Sequence, residues 1–336
     1  KEDIVRFPIQ MTLSLSWYLI KNKLKGRERF PLVMMLEPLH LCNLACDGCG
    51  RIREYEETIQ DKMPLERCLK AVDECDAPIV SVCGGEPLIY PHIVDLVNGI
   101  LDRKKHVMVC TNAIGLEKFL PKFRKTPYFT INVSMDGLAK THDVTRGRKG
   151  LYELDLKAIR AAKAQGFRVV TNTTVYKETD VEEIEGMFED LTAAGVDGML
   201  VSPGYHYEAV QEDIFLNRHE IHKKFQYISK LADRYRLVNT PLYLDFLTGA
   251  RQFDCTPWGN PTFNPQGWKG PCYLITDQHY QTYDELMGQT DWRKYEKRED
   301  ARCANCMMHC SVEPTVVRET GKNFRDMLTM IKWNLS

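Results

Sequence analysis

From Pro31 onward the apolar positions fall into blocks of two kinds. Short, nearly continuous apolar runs at Leu32–Leu36, Ile79–Cys83, His106–Cys110, Phe129–Met135, Arg168–Val175 and Gly198–Val201 read as buried strands. Between them, Leu65–Cys75, Ile93–Arg103, Leu151–Gln165 and Val181–Ala194 repeat apolar residues at three- and four-residue spacing and read as amphipathic helices. Strand then helix, repeated, predicts parallel strands joined by right-handed crossovers. The expected fold is therefore α/β, a partial (β/α)6 parallel barrel over residues 31–240. In such a barrel the loops after the strands' carboxyl ends build the active site.

Two segments flank that alternation. In residues 1–30, Leu13, Trp17, Ile20 and Leu24 keep helical spacing, while the alternation from Met11 to Trp17 also fits a strand. Lys21, Lys23, Lys25, Arg27 and Arg29 follow, opposed by Glu28. An apolar face beside a basic run suits an anionic membrane surface, or a helix packed on its own domain with solvated lysines; the second is the plainer expectation. Beyond Pro241 the alternation stops. Residues 241–336 hold Cys255, Cys272, Cys303, Cys306 and Cys310 in a segment rich in Pro, Gly and Trp.

Composition narrows the class. A chain of 336 residues with 43% hydrophobic and 27% charged residues has ample material for a core. A formal net charge of −1 gives no electrostatic footprint for nucleic acid. No apolar run reaches the ~20 residues of a membrane span, and no secretory signal is visible. The chain has twelve cysteines, and the clustered ones point to metal in a reducing compartment rather than to disulfides. A cytoplasmic location is expected, with peripheral membrane contact through the arm as the extension. Cys68 and Cys75, seven apart on a predicted helix, read as core residues.

The densest chemistry follows the first strand, at Cys42-Asn-Leu-Ala-Cys46-Asp-Gly-Cys49. A structural zinc closes itself with four ligands, and an iron–sulfur cluster normally takes four cysteines. Three thiolates without a local fourth leave one iron free for another ligand. This C-x3-C-x2-C loop after the first strand resembles the signature of the radical S-adenosylmethionine (SAM) superfamily. The resemblance implies a four-iron four-sulfur cluster on Cys42, Cys46 and Cys49. Its open iron would chelate the amino and carboxylate groups of SAM, and its electron would release a 5′-deoxyadenosyl radical. The electron would come from a donor such as flavodoxin or ferredoxin.

Further motifs sit after later strands. Gly84-Gly85-Glu86-Pro87 offers a backbone that approaches a ligand closely and a carboxylate able to accept from an ammonium group. It resembles the superfamily motif that cradles the SAM amino group. Ser134-Met-Asp136-Gly137, followed by His142-Asp143 and Arg146-Gly147, is similar to a run common in the superfamily; Ser134 and Asp136 are candidates for the ribose hydroxyls. Asn172 and Ser202 are candidates of the same kind, equally suited to local hydrogen bonds. Cys110 ends the third strand on the same face as His106 and Met108, opposite Val107 and Val109. It reads either as a small buried hydrophobe or as a thiol facing the chemistry.

The carboxyl-terminal cysteines resemble the auxiliary-cluster domains of many radical SAM enzymes. Cys255, Cys272, Cys303 and Cys306 are the expected ligands of a second iron–sulfur cluster, with Cys310 as alternate; a zinc knuckle is the competing reading. Longer stretches narrow the resemblance. Arg29-Phe-Pro-Leu-Val-Met-Met-Leu-Glu-Pro-Leu, Cys110-Thr-Asn-Ala, Val201-Ser-Pro-Gly-Tyr-His-Tyr-Glu, Leu244-Asp-Phe-Leu, Cys255-Thr-Pro-Trp-Gly-Asn-Pro-Thr and Cys303-Ala-Asn-Cys-Met-Met-His-Cys look like the adenosyl transferases of hopanoid biosynthesis. That family has His where this chain has Ser134. The resemblance implies addition of the 5′-deoxyadenosyl radical to the terminal alkene of hopene (diploptene), giving adenosylhopane, with SAM consumed as a substrate. Tyr205, Tyr207, Tyr243, Phe246, Trp258 and Trp268 are the expected lining of an apolar pocket for that triterpene. The alternatives are a radical SAM enzyme of peptide maturation or alcohol oxidation, and a non-catalytic zinc-binding interaction protein.

Overall fold

The computed structural model describes residues 5–335. Its nine strands are β1 (Val33–Leu36), β2 (Ile79–Val82), β3 (His106–Thr111), β4 (Phe129–Ser134), β5 (Arg168–Val175), β6 (Gly198–Pro203), β7 (Thr262–Asn264), β8 (Gly267–Pro271) and β9 (Thr276–Tyr280). The helices of the first half are α1 (Ile9–Leu24), α2 (Gly50–Glu54), α3 (Leu65–Cys75), α4 (Ile93–Asp102), α5 (Ala139–Thr145), α6 (Leu151–Ala164) and α7 (Val181–Ala193). Those of the second half are α8 (Arg218–Ile228), α9 (Pro241–Leu247), α10 (Tyr283–Gln289), α11 (Trp292–Glu296), α12 (His309–Thr320) and α13 (Phe324–Asn334).

β1 to β6 pair in parallel, each with its sequence neighbour, as the strand–helix alternation requires. One face of each strand builds the core under the helices: Met34 and Leu36, Val80 and Val82, Val107 and Val109, Ile131 and Val133 all belong to it. The alternate positions face the lumen and are more polar, among them Ser81, Cys110, Asn132, Ser134, Asn172 and Ser202. Strand period thus separates a packing face from a chemistry face.

Residues 241–336 are not set apart from the barrel. β7 pairs in parallel with β1, and β8 and β9 continue antiparallel, so one sheet runs β6-β5-β4-β3-β2-β1-β7-β8-β9. Four of the aromatics expected to line a substrate pocket are core instead. Tyr243, Phe246, Trp258 and Trp268 are at most 1% exposed, because the carboxyl-terminal segment needs large apolar side chains to pack on the sheet.

The arm is helical, not a strand. α1 turns Ser14 and Tyr18 inward, with Ser14 Oγ 2.9 Å from Nε2 of His106, the first residue of β3. It therefore lies against the amino ends of the strands, opposite the cysteine loop. No helix among the described residues is long and apolar enough to cross a membrane.

Candidate active site at the carboxyl ends of the strands

The loop carrying Cys42, Cys46 and Cys49 is clamped by the segment after β2. Gly85 N donates to Leu39 O at 3.1 Å and Glu86 N to Leu41 O at 3.0 Å. A Cβ at Gly85 would stand 2.0 Å from Leu41 O, and Gly84 has φ +101°, so neither position admits an ordinary side chain. The two glycines admit the cysteine loop's own backbone, a closer approach than the ligand contact expected from sequence.

Glu86 turns inward, 1% exposed. Its carboxylate accepts from Leu88 N at 2.9 Å, Thr111 Oγ1 at 2.7 Å and Asn112 N at 2.8 Å. Burial pushes it up to about 7 against the pull of those donors. It ties the end of β2 to the end of β3, two of the three bonds falling on Oε1 and one on Oε2. Asn112, held there, donates to Asn43 Oδ1 at 2.7 Å beside Cys42.

Asp136 is likewise engaged. Its Oδ2 is 2.6 Å from Arg146 Nη2 and its Oδ1 accepts from Thr174 N at 2.8 Å. Arg146 Nη1 in turn points at Cys46 Sγ, 4.0 Å away. His142 Nδ1 accepts from Asp136 N at 3.1 Å, and its Nε2 meets buried Asp155 at 3.1 Å. The run Asp136…His142…Arg146 therefore delivers a guanidinium to a cysteine sulfur. Arg53 adds a second cation, donating to Cys49 O at 2.8 Å and Cys46 O at 3.1 Å. Arg146 stands in the sequence only as part of the Asp136…Arg146 run and Arg53 in no motif; their reach depends on where α2 and α5 end.

The lumen above the strands holds the remaining candidates. Asn172 Oδ1 and Ser202 Oγ are buried without a hydrogen-bond partner, as is Asn132 Oδ1. Unpaired buried polar atoms carry a cost that a polar ligand would remove. Ser134 sits level with Asn172 in the sheet. Cys110 shares this lumen: its Sγ is 3.3 Å from Ser81 Oγ and accepts from Asn132 Nδ2 at 3.5 Å. Burial raises its thiol pKa, so it is held as S–H.

The second cysteine set assembles from four pieces of chain. Cys303, Cys306 and Cys310 are buried in one cluster with Tyr205, Leu274, Ile275 and Tyr295, and Cys272 packs against it. Cys255 lies outside that cluster, its thiol 3.7 Å from Ser311 O. It nevertheless interacts electrostatically with Cys272, Cys303 and Cys306, and Cys310 with Cys272, Cys306 and Cys255, so the five thiols form one neighbourhood; the first turn of α12 carries Cys310 into it. Burial raises the thiols of Cys255, Cys272, Cys303 and Cys310, and Cys306 is buried beside them.

A buried charged seam joins the two sets. Arg51, two residues after Cys49, pairs with Glu37 at 2.8 Å and Glu54 at 2.7 Å and donates to Tyr273 O, next to Cys272. Lys269, fully buried, reaches the same Glu54 at 3.1 Å; burial and Arg51 lower it to about 8. Beside this seam opens a cleft of about 450 Å³, lined by Arg53, Tyr205, Tyr207, Glu208, Ile275 and His279 among others. Tyr205 and Tyr207 are the two expected pocket aromatics that line it.

With that geometry in place, a family model described as the radical SAM superfamily matches residues 36–191. Those residues belong to the radical SAM superfamily. A second model, a domain of unknown function (DUF3463), matches residues 199–330. The AdoMet-dependent heme synthase of Methanosarcina barkeri is 31% identical over 153 residues, 44% of this chain and 43% of that protein. The Fe-coproporphyrin III synthase of the same organism is 23% identical over 184 residues, 52% of this chain and 45% of that protein. The chain thus spans under half the length of either relative. SuiB of Streptococcus suis bound to S-adenosylmethionine superposes with a TM-score of 0.65 at 17% identity, over 90% of this chain and 78% of that one. That last likeness is one of fold. Radical SAM membership implies a four-iron four-sulfur cluster and SAM. The residues fit both: three thiols on one loop, flanked by Arg53 and Arg146, under a lumen with unpaired polar atoms.

Proposed function

We propose that this chain is a radical SAM adenosyl transferase that joins the 5′-deoxyadenosyl group of SAM to the terminal alkene of hopene. The observation that carries the reaction class is the Cys110 thiol, lumen-facing and protonated, at the same strand ends as the cysteine loop. When bound on Cys42, Cys46 and Cys49, the cluster supplies the electron that splits SAM into methionine and a 5′-deoxyadenosyl radical. Arg146 and Arg53 place positive charge beside those thiolates, and Asn172 and Ser202 offer acceptors to the nucleoside.

Addition of the radical to the terminal CH2 of the alkene forms one carbon–carbon bond and leaves the unpaired electron on a tertiary carbon. Cys110 S–H, weaker than an alkyl C–H, gives that carbon its hydrogen atom. The thiyl then takes one electron from a donor of the flavodoxin or ferredoxin class and one proton, restoring the thiol. The hopene substrate is supported by the long stretches similar to the hopanoid enzymes, and a lipid acceptor places the reaction near a membrane. Cys272, Cys303 and Cys306 are proposed to hold a second iron–sulfur cluster, with Cys255 or Cys310 as the fourth ligand. Among the described residues no three His, Cys, Asp or Glu side chains converge on a single-ion site. That holds for the Cys42–Cys46–Cys49 loop as well, and a multi-iron cluster spreads its thiolates more widely than one zinc does.

A second reading, modification of a peptide, is favoured by one feature: the cleft beside the seam carries Arg53, Glu54, Glu208 and His279 as well as tyrosines. The deciding experiment incubates reduced enzyme with SAM and diploptene and looks by mass for an adenosyl adduct. Multiple-turnover adduct supports the transferase. Release of 5′-deoxyadenosine with diploptene unchanged would reject it and leave the peptide reading.

A further inference from the structure

Exposed apolar side chains are concentrated at one place, the amino ends of the strands. On α1, Ile9, Leu13, Trp17, Ile20 and Leu24 follow helical spacing and are 49–80% exposed. On α13 and the residue that caps it, Phe324, Leu328, Ile331 and Leu335 form a matching stripe, 49–68% exposed. Apart from these two helices, only Leu41 and Val144 are large exposed hydrophobics among the described residues. Scattered surface apolars need no account, whereas a contiguous patch marks an interaction face.

The two helices lie antiparallel and adjacent. Where α1 begins and α13 ends, Arg6 N donates to Asn334 O at 2.9 Å, Phe7 N donates to Asn334 Oδ1 at 2.8 Å, and the Phe7 and Trp333 rings are 5.6 Å apart. At the other end, Lys23 Nζ stands 3.4 Å from where Gly321 would carry a Cβ, just ahead of α13. Both helices are tied down by their opposite faces, α1 through Ser14 on His106 and α13 through Asp326 on Arg251 at 2.7 and 2.9 Å. The stripes are what remains outside.

Charge decides what covers them. From Ile9 to Arg27 there is no acidic residue, and the segment ends in Lys21, Lys23, Lys25 and Arg27. α13 adds Arg325 and Lys332, while its one acid, Asp326, faces inward on Arg251. A chain of net charge −1 thus gathers positive charge around its apolar face. A second copy would bring that positive rim against itself. We propose that α1 and α13 together dock the enzyme peripherally on an anionic membrane surface, apolar stripes in the headgroup region and lysines on lipid phosphates. The face lies at the opposite end of the sheet from Cys42, Cys46 and Cys49, so docking leaves the mouth of the barrel clear. The proposal holds whatever the radical's substrate is.

The test is flotation of the full chain with phosphatidylcholine vesicles, with and without phosphatidylglycerol. The wild type floats only with the anionic vesicles and is released by high salt. Changing Lys21, Lys23 and Lys25 together to Gln weakens partition roughly 100-fold, at about fivefold per charge. Leu13→Glu with Trp17→Glu, and separately Leu328→Glu with Ile331→Glu, each abolish flotation while SAM cleavage stays at the wild-type rate. Failure of the wild type to float, or equal flotation with phosphatidylcholine alone, overturns the proposal. So does an α13 variant that floats like the wild type. A dimer in light scattering that the same substitutions dissociate would give the face to a second copy and equally overturn it.

Discussion

The molecule carries two cysteine sites, and they are built in opposite ways. Cys42, Cys46 and Cys49 share one loop of eight residues, clamped by Gly84, Gly85 and Glu86 of a single neighbouring segment. Cys272, Cys303, Cys306 and Cys310 come from the end of β8, a turn and the start of α12, brought together by packing around Tyr205 and Tyr295. A local site is specified by spacing, so it has no spare ligand. A dispersed site is specified by the fold around it, and here a fifth thiol, Cys255, stands close by. Arg51 links the two by following Cys49 in sequence and donating to the residue after Cys272.

The largest effect expected from that contrast is at the local site. Cys42→Ala, Cys46→Ala or Cys49→Ala each abolishes SAM cleavage, measured as 5′-deoxyadenosine after reconstitution with iron and sulfide. Any of the three that still makes 5′-deoxyadenosine would break the contrast at its base. Next comes the dispersed site. Removing all three loop cysteines should leave iron and sulfide bound, whereas a further Cys303→Ala with Cys306→Ala should remove them. Zinc alone in the triple variant would make the second site structural.

A smaller effect concerns the clamp. Glu86→Ala leaves three buried donors unpaired, at ~1–3 kcal/mol each, so the free energy of unfolding in denaturant should fall by several kcal/mol. The same carboxyl predicts a pH dependence. Its folded pKa, pushed up to about 7, lies above its ordinary value of 4.5. Its stabilising contribution is therefore complete below about pH 4.5 and declines as pH rises to about 7, by roughly 3 kcal/mol in total. Glu86→Gln should flatten that slope; an unchanged slope would place the titration elsewhere.

The same distinction between local and dispersed explains what could be read before the fold was known. β5 and α3 begin and end where apolar periodicity places them, at Arg168–Val175 and Leu65–Cys75. The lumen position of Cys110 follows from a period of two, since Val107 and Val109 had to face the core. Asp136 and Glu86 were visible as acids after strands, yet their partners were not. Arg146 is ten residues beyond Asp136, and Asn112 follows a different strand from Glu86. Likewise Trp258 and Trp268 look like pocket aromatics until β7 and β8 extend the sheet and bury them. α13 pairs with α1 across nearly the whole chain, so its stripe acquired meaning only beside the arm.

The central claim is that radical generation at the Cys42 loop and hydrogen return from Cys110 act on one substrate in one lumen. Product formed in D2O from SAM and diploptene tests it most directly, because a thiol exchanges its proton with solvent and a carbon does not. The account predicts one deuterium at the tertiary carbon of the adenosyl adduct from the wild type. It predicts that Cys110→Ala still cleaves SAM but gives poorly quenched or stereochemically scrambled product. Adduct without solvent deuterium, or normal product at the normal rate from Cys110→Ala, would contradict it and return Cys110 to the role of a buried strand residue.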